Sequence, residues 1–273
     1  LASPISALAP SLPEDLVDLA LWTADAYCST PARALALVTP PGGGRTSDKK
    51  ALVASLTSEG ESALGGGVRL TDGQREALDL LRGGPVSASD VPIGHSGLRR
   101  LEGRGLVSLE SERVMRRPAP SQMDAGRVAP ELNAEQDAAV KEIVGSITSG
   151  SKRGGFLLHG ITGSGKTEVY IHAAEAALAN DKGVIVLVPE IALTPQAVAR
   201  FTARLGDTVA VLHSALSEGE RHDEWSRLES GEALVCIGPR SAVFAPVKDL
   251  GLVIVDEEHE SAYRNDGDPG YDA

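Results

Sequence analysis

From residue 132 to the end of the chain, apolar positions fall into short runs separated by stretches with helical spacing. Residues 155–159, 184–188, 209–212, 234–237 and 252–255 are rich in Val, Ile and Leu. Such continuous runs read as strands buried on both faces, the habit of a parallel sheet. Between them the spacing predicts helices. One runs from about Lys166 to Asn180. Another is capped by Thr194, with Pro195 at its first position. A third opens on Ser217, with Glu220 three residues on to complete a capping box. The alternation predicts an α/β fold, a parallel sheet covered by helices on both faces.

Upstream the pattern changes. Leu12, Leu16, Leu19, Ala20 and Tyr27 have helical spacing, and Pro13 suits a first turn. Residues 42–69 are rich in Gly and Ser and read as a linker region around one short element at 49–56, taken as helical. From residue 70 to 117 the expectation is a helix capped by Thr71 and ended by Gly83-Gly84-Pro85, then a short helix over 86–91. A third helix over 95–104 follows. Residues 106–109 and 113–115 then alternate around a polar turn as a hairpin. Helix, helix, helix and hairpin is the order of a winged helix, in which the third helix and the wing meet DNA. Residues 118–131 read as a second linker.

Charge qualifies that picture. The net charge is −12, unfavourable for binding phosphate backbones unless the basic residues are gathered locally. They are: Arg99, Arg100, Arg104, Arg113, Arg116 and Arg117 cluster, and Arg99 and Arg100 on the third helix are candidate DNA contacts. Cys28 and Cys236 are the only cysteines and neither sits in a CxxC pair, which speaks against a disulfide framework or a zinc site and for a reducing cytoplasm. No apolar run reaches the roughly 20 residues of a membrane span, so no membrane partner is expected. The first residue is Leu1 with no basic n-region behind it, read as a chain cut at its N-terminus and without a secretory signal.

Two motifs carry chemistry. Gly160, Ile161, Thr162, Gly163, Ser164, Gly165, Lys166 and Thr167 match the Walker A pattern, between a predicted strand and a predicted helix. Its glycines let backbone N–H groups close around phosphate oxygens, and the following helix N-terminus favours anions. Lys166 neutralises β/γ-phosphate charge and the Thr167 hydroxyl suits Mg²⁺. Downstream, the apolar run over 252–255 leads into Asp256-Glu257-Glu258-His259 at a strand's C-terminal edge, where α/β sheets bind ligands. Asp256 is placed for Mg²⁺ and Glu257 for the attacking water. The implied cofactors are ATP and Mg²⁺. A small-molecule P-loop kinase is disfavoured, because it has no place for this acidic box.

The strings GITGSGKTEVY, VLVPEIALTPQ, LHSALSEGER, GPRSAVFAP and DEEHESAYRNDGDPGY resemble, in order, the first-lobe motifs of the PriA family of replication-restart helicases, in superfamily 2. The match covers residues 132–271, and the upstream segments resemble the family's order of elements more loosely. The resemblance implies a RecA-like P-loop NTPase lobe over 132–273, a winged-helix domain over 70–117, and, over 1–41, a small helical remnant of an N-terminal DNA-binding region. It implies that Gln136 reads adenine, although Asn133 beside it is also a good helix cap. Pro189, Thr194 and Gln196, then Arg240 and Ser241, then Tyr263 in the loop over 261–271, are its implied DNA contacts. It further implies 3′ to 5′ movement, forked and single-stranded DNA as partners, and primosome proteins and single-strand-binding protein as protein partners. Zinc is expected in the intact parent but not in this piece. Pro239 replaces an expected Thr, and Asp272-Ala273 replaces an expected basic continuation. With no second lobe in these 273 residues, the expectation is weak ATP–Mg²⁺ binding at most and no unwinding. Another superfamily 2 translocase and a DNA-binding accessory protein with lost hydrolysis are the rival readings.

Overall fold

The computed structural model describes residues 12–42, 50–66, 68–113, 116, 130–149, 155–161 and 163–273. The chain divides into two compact units, residues 47–116 and, together, residues 1–46 with 117–273.

The smaller unit is α/β. In chain order it contains β1 (Lys50–Leu56), α3 (Ser58–Leu64), α4 (Asp72–Leu81), β2 (Val86–Ser87), α5 (Gly94–Glu102) and β3 (Val107–Arg113). Its sheet is antiparallel in the order β2-β1-β3. Thr57 and Thr71 cap α3 and α4, the latter through a full capping box with Gln74. Three local expectations are corrected. The element at 49–56, taken as helical, is strand β1, because its backbone pairs with β3 from Lys50↔Arg113 to Leu56↔Val107 and Ala54 is fully buried between neighbours. The short helix over 86–91 is replaced by β2, which pairs with Val53 and Ala54 before the chain turns. The turn expected between 109 and 113 does not form. Glu110 and Ser111 lie inside β3, held by the ladder to β1, and residues 114–115 of the expected second arm lie outside the described residues. One core, built on Leu78, Leu81, Leu98, Leu101, Leu106 and Val107, holds the unit together.

The larger unit begins with α1 (Glu14–Ala26) and α2 (Pro31–Val38). It resumes with α6 (Ala134–Ser149), α7 (Lys166–Leu178), β4 (Gly183–Leu187), α8 (Pro195–Leu205), β5 (Val209–Val211), α9 (Glu218–Ser230), β6 (Val235–Gly238) and β7 (Leu250–Val255). A short pair, β8 (Arg264–Asn265) and β9 (Tyr271–Asp272), follows. The four-stranded sheet is parallel, in the order β5-β6-β4-β7. Alternation splits its side chains between two cores. Val184, Val186, Val211 and Ile237 pack with Ile171 and Ala174 of α7 and Phe201 of α8. Ile185, Leu187, Ala210 and Cys236 pack on the other face with Leu228 of α9 and Tyr263. Each fully buried aliphatic chain contributes on the order of 1.5–3 kcal/mol, which explains why the central strand β4 is apolar at every position after Gly183.

One strand expected in this unit is not found. Residues 155–159 form no ladder, and Phe156 (47% exposed) and Leu157 (79%) face solvent. Val253 and Val255 of β7 are also exposed. An apolar run becomes a buried strand only where a neighbour accepts its backbone, and here among the described residues none does. At the other end of the chain, α1 and α2 pack on the segment after the acidic motif. Leu16, Ala20, Ala24, Ala34 and Val38 share a core with Phe244 and Tyr271.

Candidate nucleotide site

The Gly-rich loop leads directly into α7. Gly163 and Gly165 adopt φ of +81° and +87°, a left-handed backbone that residues with a Cβ rarely take. A Cβ on Gly165 would lie 2.4 Å from the Gln136 amide nitrogen, so a side chain there would displace Gln136 from the loop. Ser164 N–H donates to the Ile161 carbonyl at 3.1 Å to shape the turn. Ile161 is 80% exposed beside it, and Thr162 lies outside the described residues. Gly160 supplies a carbonyl that accepts from Lys166 Nζ at 2.8 Å.

Gln136 reaches this loop. Asn133 Oδ1 caps α6 by accepting from the N–H groups of Glu135 and Gln136, at 3.0 and 2.9 Å. In return Gln136 Oε1 accepts from Asn133 N–H, and its Nε2 donates to the Ser164 carbonyl at 2.9 Å. Gln136 is therefore fixed at the loop by a helix cap.

The acidic motif arrives from β7. Parallel pairing with β4 carries Asp256 to the strand's C-terminal end, where its N–H donates to the Leu187 carbonyl at 2.9 Å. Glu257 then takes φ +49°, an uncommon conformation for a residue with a side chain and one that concentrates at functional turns. The turn brings Glu257 Oε1 within 3.4 Å of Lys166 Nζ. Tyr170 Oη donates to Asp256 Oδ1 at 3.1 Å. Burial pushes the Asp256 carboxyl above its ordinary value, and the Tyr170 hydrogen bond and the Lys166 charge partly oppose that rise. Burial, and then the Asp256 charge, raise the Tyr170 hydroxyl well above its usual range, so it remains the donor. His259 is 66% exposed at the motif's end, 3.9 Å from carboxylate oxygens of Glu257 and Glu258.

The two motifs therefore meet. Thr167, the second residue of α7, and Asp256 offer a hydroxyl and a carboxylate, the hard oxygen donors that Mg²⁺ takes alongside nucleotide phosphates. Among the described residues no group of three or more His, Cys, Asp or Glu gathers into a metal cage, and a Mg²⁺–nucleotide site needs none.

The expected DNA contacts are placed less uniformly. Thr194 and Gln196 are exposed at the start of α8, where Thr194 Oγ1 accepts from Ala197 N–H at 3.2 Å. Pro189 is buried, and its carbonyl accepts from the N–H groups of Ala192 and Leu193. Ser241 is exposed; Arg240 Nη1 donates to the Arg264 carbonyl at 2.6 Å. Tyr263 is only 3% exposed, its hydroxyl within reach of the Leu187 and Asp256 carbonyls. Its single hydroxyl hydrogen serves one of these at a time and ties the ends of β4 and β7 together. In the smaller unit, Arg99 and Arg100 are exposed on α5, and Arg99 pairs with Glu102 at 2.9 Å. Sequence reasoning missed Tyr170, although its place one helical turn after Lys166 was visible in the string.

A Gly-rich loop feeding a helix, in contact with an acidic strand end of a parallel sheet, is the arrangement of a P-loop domain. Residues 129–271 match the family model described as "Type III restriction enzyme, res subunit", a helicase family, and the chain belongs to it. The chain is PriA-like: it is 46% identical over 176 residues to the replication restart protein PriA of Bacillus subtilis, covering 64% of this chain and 22% of that protein. It is 41% identical over 202 residues to the replication restart protein PriA of Synechocystis, covering 72% of this chain and 24% of the relative. The match to the Chlamydia pneumoniae replication restart protein PriA is 34% over 277 residues, covering 94% and 36%. The chain thus spans 22% to 36% of the length of these relatives. No helix among the described residues is long and apolar enough to cross a membrane.

Proposed function

We propose that the intact protein is an ATP-dependent DNA helicase of replication restart, and that these residues hold its nucleotide site. The approach of Lys166 to Glu257, 3.4 Å between Nζ and Oε1, carries this reading, because it joins the phosphate-binding loop to the acidic motif. In the proposed cycle the triphosphate draws Lys166 away from Glu257. The N–H groups of the loop and of the α7 N-terminus take the phosphate oxygens. Glu257, released, orients the attacking water and accepts its proton. Asp256 and Thr167 hold the divalent cation, and Gln136 meets the adenine. When bound, Mg²⁺ neutralises charge on the transferring phosphoryl group.

Thr194, Gln196, Arg240 and Ser241 are the proposed contacts to single-stranded DNA in the lobe, with Arg99 and Arg100 in the smaller unit. Tyr263 is assigned to positioning instead, because its ring is buried. Movement 3′ to 5′, forked DNA as substrate, primosome partners and a cytoplasmic setting follow from the PriA likeness. A charge-stabilising arginine from a second lobe is assigned to the whole protein.

The test is DNA-stimulated ATPase of the full-length protein beside its Lys166→Ala variant. Loss of at least about a hundredfold is expected, as for removal of a group that stabilises transition-state charge. Retention of the rate refutes the nucleotide-site reading.

A further inference from the structure

The hydrogen bond from Tyr170 to Asp256 belongs to neither motif that marks the site. Tyr170 lies four residues after Lys166 on α7, so the two side chains share a helix face. Its ring packs against the core that joins α7 to the sheet, which restricts its rotamers and fixes where the hydroxyl falls. The Asp256 main chain is already held: its N–H donates to the Leu187 carbonyl and its own carbonyl accepts from Tyr263 Oη. Those bonds leave the two side-chain torsions of Asp256 free. The carboxylate meets the Glu257 N–H and Tyr170 Oη, and Tyr170 Oη, 3.1 Å from Oδ1, is the side-chain group that helps hold it.

We infer that Tyr170 is a positioning residue, which locks the Asp256 carboxylate in the orientation needed to receive the nucleotide's divalent cation. The inference rests on the nucleotide-site reading above. Partners that orient a metal-binding carboxylate commonly set metal affinity by about ten- to a hundredfold. Because Tyr170 rides on the helix that carries Lys166 and Thr167, it also ties the cation side of the site to its phosphate side.

Tyr170→Phe keeps the ring and removes only the hydroxyl. MgCl₂ is titrated into the full-length protein with a fluorescent methylanthraniloyl-ATP, and nucleotide binding is measured again in EDTA. The expected result is a rise of about tenfold in half-saturating Mg²⁺ with unchanged binding in EDTA. An unchanged Mg²⁺ dependence overturns the inference. So does an equal loss of binding in EDTA, which marks a merely structural role. If the unsubstituted full-length protein shows no Mg²⁺-dependent binding, the nucleotide-site reading itself falls and takes this inference with it.

Discussion

Lys166 Nζ stands 3.4 Å from Glu257 Oε1, so without nucleotide the phosphate-binding cation is engaged by the residue proposed to activate water. Replacing that carboxylate has two opposite consequences. Glu257→Gln releases Lys166 and removes a negative charge beside the triphosphate, so nucleotide binding tightens. Glu257 is about one-third exposed, and a pair of this kind is worth up to about 1 kcal/mol, so the gain is at most about fivefold. Hydrolysis by the full-length protein is lost at the same time. Fluorescent-nucleotide titration and steady-state ATPase on one preparation check both halves; a variant that binds more weakly contradicts the geometry.

Asp256 makes a pH prediction. Its carboxyl is raised above the ordinary Asp value of 3.8, chiefly by burial. The folded state therefore holds that proton more tightly than the unfolded state does. The stabilising contribution of the protonated form is complete below 3.8 and is lost as pH rises through the folded value. Above that value the carboxylate is a desolvated charge. Asp256→Asn, which still accepts from Tyr170, is expected to raise the thermal midpoint at pH 7, with the gain shrinking as pH falls toward 4. Melting curves at pH 7 and pH 5 decide it. A lower midpoint than wild type at pH 7 contradicts the sign.

The candidate site was legible as a pattern because the chemistry proposed for it leaves little choice of residue. Gly163 and Gly165 need left-handed backbone, and Lys166 and Asp256 need charges at the ends of a loop and a strand. Long-range pairing was not legible. Residues 50–56 suit either period, and only the partner β3 selects strand. Ser111 looks like a turn residue, but the ladder to Leu52 keeps it extended. The aliphatic string at 155–159 promised burial, yet burial depends on a neighbour that the string itself does not contain. Tyr170 went unnoticed because a Tyr on a helix is usually core; its hydrogen bond to Asp256 appears only when α7 and β7 are brought together.

The buried ion pair of α9 supports a stability prediction. Arg227 and Glu224 side chains are 4% and 2% exposed and lie 2.9 Å apart. Arg227 also donates to the Val209 and Asp207 carbonyls, and Glu224 Oε2 accepts from Val211 N–H at 2.9 Å. Together they satisfy the backbone of β5, the strand at the edge of the parallel sheet. Arg227→Ala strands a buried carboxylate and is expected to cost about 3–5 kcal/mol. Replacing both residues by Leu removes the charges but leaves those backbone groups without partners. The double variant therefore stays destabilised by at least about 1–3 kcal/mol. Chemical denaturation checks this; a double variant as stable as wild type refutes the edge-capping role.

Two kinds of contact join the N-terminal helices to the segment after the acidic motif, and their magnitudes differ. Ser29 and Arg33 both reach the Asp268 carboxylate, but Arg33 and Asp268 side chains are 59% and 51% exposed, so that pair is worth little. The other contact is apolar. Tyr271, 6% exposed, packs edge-on against Phe244 with centroids 5.0 Å apart, in the core that includes Leu16, Ala20 and Val38. Removing its ring costs about 3–5 kcal/mol by analogy with other buried aromatic truncations, whereas Arg33→Ala costs less than about 1 kcal/mol. Tyr271→Ala is accordingly expected to open residues 14–38 to limited proteolysis, and Arg33→Ala to leave them protected. The reverse ranking would mean that charge, and not the apolar core, holds these helices to the rest of the larger unit.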